Sequence, residues 1–590
     1  MTFLGLGIFA WITILLLFGK VGLMVKTRLP GDVIGLGIVF FLLVIGALPT
    51  DIALSCFSST SVVLVGVLFV LASALVHAGI VQWITRKLLG YPKSLSDALF
   101  RTMIPAAGLS AFISSAPVVA LMLSAVKVWA KKNNLVPSKL LIPLSYTATL
   151  GGVCTLIGTT PNLVVSDFYT SETGLHLGFA CTTIPGLFCL LVGMITIIIL
   201  QRFLPTRKCP EEAFESSAEY TVELIVPADN NLIGQSVKEA GLKTVEGGNL
   251  IEIVRFDSEI ISPVPDDEWV LGNDHLVYSG DVSNILHLRQ THGLVNANHV
   301  VFNTREENSR KRKLQMATID FASPLIGKSM NEVNFENRQN VVLIAVAREG
   351  ECMTEIPRDI KLRPGDTLLL EGDKLLPENF QGSLNFFDSY VLPQDMHKTF
   401  MAAAILFAMV MLAVLQIMPL LNSCLVAIMA MLLIRCLSIE QLQNSINWKL
   451  LMVFSGSVCL GKAMTYTGVS QAMSDLITNS TSTSPLISLI ILCFLGTFVT
   501  EFISSVAAAA IFAPIGMCVA QSLGANPVTF CVAIMISVSS SFATPVGSET
   551  NTFIYGPGGY RFTDYLKLGL PMNLIIMAAN IFITTLVYPL

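Results

Sequence analysis

Charge is what this chain has least of: only 13% of its 590 residues are Asp, Glu, Lys or Arg, about half the share in a soluble globular protein. With 53% hydrophobic residues and a mean hydropathy of +0.69, that shortage excludes a purely water-soluble protein. Enzyme signatures are missing as well. There is no HExxH, GxSxG or Walker loop, so the residues for metal hydrolysis, acyl transfer and nucleotide hydrolysis are not there in motif form. The twelve cysteines stand singly, mostly inside apolar runs (Cys154, Cys181, Cys189, Cys459, Cys493, Cys531). Without a CxxC pair or a His/Cys cluster of ligand spacing, they read as small buried apolar residues rather than a disulfide framework or zinc site. No basic tract with interleaved aromatics offers a nucleic-acid surface, and the net charge of -5 is unremarkable. The sequence thus calls for no cofactor and no nucleic acid.

Long apolar runs are what it does have. They span 3–18, 33–47, 62–76, 109–128, 140–165 and 177–200, then 400–416, 420–433, 450–464, 486–519, 528–542 and 568–587. A hydrocarbon core takes about 20 apolar residues as helix, so the chain is expected to cross a bilayer many times. The first run lacks a basic n-region and a small-residue cleavage site, and is expected to stay as a helix. Between the two sets lies a polar stretch that holds most of the acidic residues. The expected organisation is a first membrane half over 1–204, two small domains over 205–300 and 301–397, and a second membrane half over 398–590.

The halves share a pair of signatures. Phe112-Ile113-Ser114-Ser115 and Thr155-Leu156-Ile157-Gly158 in the first correspond to Phe502-Ile503-Ser504-Ser505 and Thr544-Pro545-Val546-Gly547 in the second, at offsets of 390 and 389 residues. Two matches at nearly constant spacing point to duplication, and internal repeats in a membrane protein point to a secondary transporter whose site forms where the repeats meet. Serines interrupt apolar sequence at Ser114-Ser115-Ala116-Pro117 and Ser504-Ser505. Unwound backbone survives at membrane depth only when buried in protein or lining a wet cavity. Small residues also let helices pack closely, which is the alternative reading of any single serine.

The polar insert is a tandem repeat of its own. Leu232-Ile233-Gly234-Gln235-Ser236 matches Leu325-Ile326-Gly327-Lys328-Ser329, Leu271-Gly272-Asn273-Asp274 corresponds to Arg363-Pro364-Gly365-Asp366, and Tyr278-Ser279-Gly280-Asp281 to Leu370-Glu371-Gly372-Asp373. Short strands are expected over 221–226, 250–255, 341–347 and 367–370, with one short helix after each Gly-Gln/Lys-Ser step. Its histidines (His275, His287, His292, His299) have no ligand-like spacing.

These features together resemble the divalent anion:sodium symporter family, in the branch that carries two inserted TrkA-C domains and includes sulfate and dicarboxylate carriers. The resemblance covers nearly the whole chain. Its most specific stretch runs from Thr544 through Pro545, Val546, Gly547, Ser548, Glu549, Thr550 and Asn551 into Tyr555-Gly556-Pro557-Gly558-Gly559-Tyr560. The resemblance implies a polytopic helical protein with two inverted repeats, re-entrant hairpins, a homodimeric assembly and an elevator-like motion. It implies that the hairpin tips Ser114-Ser115-Ala116 and Ser504-Ser505-Val506, with the facing Thr155, Thr544 and Pro545, contact a sulfate- or di/tricarboxylate-class anion. It also implies that Ser110, Ser114, Ser115, Cys154, Thr500, Ser505 and Ala543 help to ligate a cation, and that the TrkA-C modules bind a small-molecule effector. Where the family has tip asparagines this chain has Ser115 and Ser505, which removes a carboxamide able to serve both cation and anion. The coupling ion is therefore open between Na+ and H+. Hydroxyls, backbone N–H groups and half-helix N-termini still suit an oxyanion.

Ionisable groups inside a membrane are functional candidates. Glu501 and Glu549 flank the second tip and break, and Glu549 is expected to take part in coupling; each could instead sit at a boundary or pair with a polar neighbour. Lys127 is expected at the interface beside Lys131 and Lys132, His77 reads as structural, and Lys462 as a possible partner for a carboxylate or an anion. Basic residues at the ends of the insert (Arg202, Arg207, Lys208, Lys398) and the run Arg310-Lys311-Arg312-Lys313 within it favour a cytoplasmic insert in a cell membrane protein. The competing functions are an ion channel, for which a TVGYG-like filter is missing, and a non-transporting membrane sensor.

Overall fold

A computed structural model describes residues 7–26, 31–207, 221–245, 248–255, 259–261, 264–280, 293–296, 313–320, 323–329, 342–353, 360–372, 384–386, 396–438, 442–443, 445–446, 448–480 and 484–590. Lys208, the basic residues 310–312, His287, His292, His299, Asp281, Asp373 and the stretch after Ser329 lie outside them. The chain forms two compact units. One comprises Met1–Pro205, Tyr390–Ile554 and Phe562–Leu590; the other comprises Thr206–Ser389 and the short segment Tyr555–Arg561.

The first unit is helical. Its first half contains α1 (Ile8–Lys26), α2 (Gly31–Val44), α3 (Thr50–Phe57), α4 (Thr60–His77), α5 (Ile80–Leu89), α6 (Leu95–Ser110), α7 (Ser115–Lys132), α8 (Ser138–Val153), α9 (Thr160–Thr173) and α10 (Thr183–Ile199). Its second half contains α11 (Met396–Val414), α12 (Leu420–Leu433), α13 (Trp448–Tyr466), α14 (Val469–Ser480), α15 (Pro485–Thr500), α16 (Ser505–Leu523), α17 (Pro527–Ser539), α18 (Glu549–Tyr555) and α19 (Phe562–Val587). Local chemistry sets several ends: Ser59 and Ser94 accept N–H bonds as N-caps of α4 and α6, and left-handed Gly174 and Gly524 stop α9 and α16. Among the described residues five helices are long and apolar enough to cross a membrane, or six if α13 and α14, bent by 68° at their junction, form one broken span.

Three of the long apolar runs are divided between two helices, 109–128 passing from α6 through a tip into α7. The run 140–165 breaks between α8 and α9, and 486–519 folds back between α15 and α16. The pairs α6–α7 and α15–α16 are helical hairpins with four-residue tips, 111–114 and 501–504. Both arms of the first hairpin pack on α8 and both arms of the second on α17, while α10 lies along α8 and α19 along α17. The halves interlock where α9 packs on α16 and α10 on α19. The arm α16 is 72% buried inside the protein, against 22% for α11; an apolar helix so enclosed belongs to the interior of the bundle rather than to a lipid-facing wall. Lys127 departs from expectation, being 5% exposed on α7. It continues the buried side of α7, which carries Val119, Met122, Leu123 and Val126, all 3% exposed or less.

The second unit holds two antiparallel sheets. One contains β1 (Thr221–Ile225), β2 (Thr244–Val245), β3 (Gly248–Arg255), β4 (Glu259–Ile261), β5 (His275–Gly280) and β6 (Val295–Asn296); the other contains β7 (Lys313–Ile319), β8 (Val342–Arg348), β9 (Glu351–Cys352), β10 (Thr367–Gly372) and β11 (Leu384–Phe386). Ignoring the short β2, the strand orders are β4-β3-β5-β1-β6 and β9-β8-β10-β7-β11, the same path twice. Each sheet has its own core: Leu224, Ile253, Leu276 and Tyr278 in one, Ile319, Val346, Leu368 and Leu370 in the other. The repeated Asp closes the same lock in both. Arg255 grips Asp274 through Nε and Nη2, each at 3.0 Å, and Arg348 grips Asp366 at 2.8 Å through each of the same atoms. The hydrogen bonds to Asp274 push the Arg255 guanidinium above its ordinary value. The helix expected after Gln235-Ser236 is a single turn, closed by Ala240 N–H donating to the Ser236 carbonyl at 2.9 Å. Gly241 at φ +64° ends it after that turn.

Candidate functional site

Each hairpin tip is tied to a break in the helix it packs against, and the ties match. In the first half the Thr155 hydroxyl donates to the carbonyl of Ala111 at the tip and accepts from Gly158 N–H at 3.2 Å, while Asn162 Nδ2 donates to the Thr155 carbonyl at 2.9 Å. In the second half the Thr544 hydroxyl donates to the Glu501 carbonyl at 2.8 Å and accepts from Gly547 N–H at 3.1 Å, while Asn551 Nδ2 donates to the Thr544 carbonyl at 3.0 Å. The reason is general: a broken helix frees amides and carbonyls that hydrocarbon cannot solvate, so side chains must satisfy them. A glycine of the following helix backs each break. A Cβ on Gly186 of α10 would stand 2.8 Å from Cys154 Cα, and one on Gly569 of α19 would stand 2.5 Å from Ala543 Cα.

The halves meet through side chains that carry no repeat signature. Ser145 Oγ donates to Asn551 Oδ1 at 2.7 Å, Thr149 and Thr550 hydroxyls share a bond of 3.1 Å, and the Tyr146 hydroxyl donates to the Phe542 carbonyl at 2.6 Å. The middle of α8 therefore touches the second break and α18 directly. Ser115 and Thr155 are buried in the first half, Thr544 and Ala543 in the second, and Ser114, Ser504, Ser505 and Val506 are half-buried. The Ser504 hydroxyl caps α16 by accepting from Ala507 N–H at 3.4 Å. A small cleft opens beside the first tip, lined by Val65, Phe69, Phe112, Ser114, Thr160 and Leu163 among others.

Two oxygens in the first half suit a hard cation, which takes oxygen ligands. Ser110 Oγ and Asn162 Oδ1 are fully buried and, among the described residues, have no hydrogen-bond partner. Their counterparts are engaged: the Thr500 hydroxyl donates to the Val538 carbonyl at 2.8 Å, and Asn551 Oδ1 accepts from Ser145. Asn162 was not singled out in the sequence and Asn551 was named only within the family-like stretch, without a role, although each lies seven residues after the break threonine and so shares the repeat offset.

The two glutamates divide sharply. Glu549 opens α18 and is exposed, whereas Glu501 is 6% exposed. Glu501 Oε1 accepts from Phe542 N–H at 2.9 Å, Ala543 N–H at 3.0 Å and Asn573 Nδ2 at 2.6 Å, and Oε2 bonds the Ser541 hydroxyl at 3.1 Å. Of the other ionisable groups, His77 Nδ1 is bonded to the Ser73 carbonyl at 2.8 Å, within its own helix. Lys462 donates to Ser55 Oγ at 3.3 Å and lies close enough to Asp167 of α9 to act on it electrostatically; Asp167 in turn accepts from Ser61 at 3.1 Å.

The matched ties have a measurable cost when removed. Thr544→Val leaves the Glu501 carbonyl and Gly547 N–H without partners and is expected to destabilise the protein by about 1–3 kcal/mol. Thr155→Val should do the same in the first half. Thr544→Ser keeps the hydroxyl and should remain near the parent. Thermal unfolding in detergent checks all three, and equal melting temperatures for Thr544→Val and the parent would show the tie to be idle.

Duplicated hairpins, paired helix breaks and several apolar spans define a multi-pass integral membrane transporter. The chain belongs to the family described as "CitMHS: Citrate transporter", whose model matches residues 13–528. It is accordingly a transporter and not an enzyme. An uncharacterised transporter of Synechocystis is 30% identical over 583 residues, which are 95% of this chain and 94% of that protein. Sodium/sulfate cotransporter 2 of Chlamydomonas reinhardtii is 30% identical over 353 residues, 56% of this chain and 39% of the relative. The solved YdaH transporter of Alcanivorax borkumensis aligns over 98% of this chain and 97% of its own at 11% identity, with a TM-score of 0.45.

Proposed function

We propose that this protein is a secondary active transporter of a small anion of the sulfate or di/tricarboxylate class, coupled to Na+ or H+, with its site built from the two tips and the two breaks. The observation that carries the reading is the matched tie of tip to break in both halves, joined by the contact of α8 with the second break. Supporting it are the citrate-transporter description of the family and the sodium/sulfate relative. Ser114, Ser115, Ala116, Thr155, Ser504, Ser505, Val506, Thr544 and Pro545 serve the anion in this reading. Ser110, Ser114, Ser115, Cys154, Thr500, Ser505 and Ala543 serve the cation, and the buried oxygens of Ser110 and Asn162, without a hydrogen-bond partner among the described residues, have lone pairs to offer it. Alternating exposure of one site needs the ligand to favour one state over another, and only that difference can drive it.

The insert belongs to the same proposal as a pair of TrkA-C-like modules that sense a cytosolic small molecule, supported by the same strand order in both sheets. A cytoplasmic insert and a homodimer complete it, resting on the flanking basic residues and the family resemblance.

The test is uptake of labelled sulfate and of labelled citrate into proteoliposomes under an inward sodium gradient, with a proton gradient as the second arm. One of the two anions should accumulate and saturate. Ser115→Ala with Ser505→Ala should lower uptake at least tenfold, since each hydroxyl bonded to a charged solute contributes roughly 1.5–3 kcal/mol. Parent-like uptake by the double variant would remove the tips from the site, and no uptake of any anion by the parent would remove the transport reading.

A further inference from the structure

The repeat is broken at one position with chemical consequence: Glu501 of the second tip corresponds to Ala111 of the first. The backbone differs at the same place. The helix α8 continues to Val153, whereas α17 stops at Ser539, three residues short of the equivalent point. The amides of Phe542 and Ala543 are thereby released from a helix, and the Glu501 carboxylate takes both. It replaces the missing helical carbonyls with a charged acceptor, and Asn573 of α19 fixes the same oxygen from the other side. Among the described residues every group within hydrogen-bond distance of this carboxylate is a neutral donor. A net negative charge so enclosed repels an anion entering the same region, and a cation bound nearby cancels that repulsion.

We propose that Glu501 is a positioning residue with two effects: its carboxylate shapes the second break, and its charge makes anion binding depend on prior binding of the cation. The proposal rests on the transport reading above and deepens it. The first half, with alanine at the equivalent position, supplies no such charge. Coupling is then written into one repeat and not the other.

Glu501→Gln separates shape from charge. A carboxamide keeps an acceptor for Phe542, Ala543 and Asn573 and can donate to the Ser541 hydroxyl, so the break is held while the charge is gone. Asn573→Ala is the converse, losing a donor but not the charge. The measurement is thermal unfolding of the purified full chain titrated with sodium chloride against choline chloride at constant ionic strength. Alongside it, the KM for the transported anion is taken at low and at high sodium. In Glu501→Gln the sodium midpoint is expected to rise roughly tenfold, as for unit charges within about 10 Å at an effective dielectric of about 20. The KM ratio between low and high sodium should fall by a similar factor, and Asn573→Ala should keep the parent's ratio. A sodium midpoint in Glu501→Gln within twofold of the parent, no sodium effect on the parent at all, or an equal shift in Asn573→Ala would each overturn the proposal. If the parent fails to take up any anion, the transport reading falls, and the sodium midpoints still decide the role of Glu501.

Discussion

Gly547→Ala should abolish transport, and Gly158→Ala should do the same from the other repeat. A Cβ on Gly547 would stand 2.5 Å from the Thr500 carbonyl oxygen and 3.0 Å from Glu501 Cα; one on Gly158 would stand 2.7 Å from Gly152 Cα. These neighbours are backbone, which cannot step aside as a side-chain end can. Overpacking a tight core costs typically 1–3 kcal/mol, and here the strain falls on the segment that ties break to tip. In the second half the break must move away from the hairpin, opening the threonine bond that orients both; in the first it must move away from Gly152 of α8, displacing the Gly158 amide from Thr155. Uptake in proteoliposomes is expected at background with the protein still inserted and monodisperse. Gly108→Ala is the control: its Cβ would meet nothing within 4 Å, and parent-like uptake is expected. Equal uptake by Gly547→Ala and Gly108→Ala would show that the close approach of break and hairpin is not needed.

The second large effect lies in the insert. Asp274→Ala removes a carboxylate with no exposed surface that takes both Nε and Nη2 of Arg255 and the amide of Leu271. The Arg255 side chain is 11% exposed and would keep Glu268 at 3.2 Å and the Trp269 carbonyl at 2.8 Å, so its charge would be left partly compensated in a poorly solvated place. Breaking one side of a buried pair typically costs about 3–5 kcal/mol, which is most of the stability a small sheet has. Hydrogen–deuterium exchange on the full chain should show β3 and β5 losing protection while β8 and β10 keep theirs. The matched variant Asp366→Ala should reverse the pattern, because Arg348 and Arg363 N–H depend on Asp366 in the same way. Protection unchanged in β3 would mean that hydrophobic packing alone holds the first sheet.

Much of the site could be read in one dimension because duplication leaves a constant offset. The tips at Ser114-Ser115 and Ser504-Ser505, and the breaks at Thr155 and Thr544, are found by that offset alone, and the structure joins each tip to its own break. The residues that complete the arrangement leave no such trace. Asn573 reaches Glu501 across 72 residues of chain, and Ser145 reaches Asn551 across 406. Nothing in local composition announces either contact. Glu501 and Glu549 look alike in sequence, both beside a signature; the fold buries the first against four donors and leaves the second exposed. Lys127 shows the same limit, since a lysine near two others on an apolar helix suits an interface in one dimension and is enclosed in three.

By itself the sequence determined that this protein lives in a membrane and that two hydroxyl-bearing signatures recur at nearly constant spacing in its two apolar halves. Hydropathy and repeat spacing record those properties directly, because water exclusion acts on composition and duplication on register. Tertiary structure alone decided which buried oxygens are left without partners among the described residues, which glutamate holds the second break, and how one repeat meets the break of the other. Those outcomes depend on hydrogen bonds between residues hundreds of positions apart, and such bonds are chosen by geometry once the helices have packed.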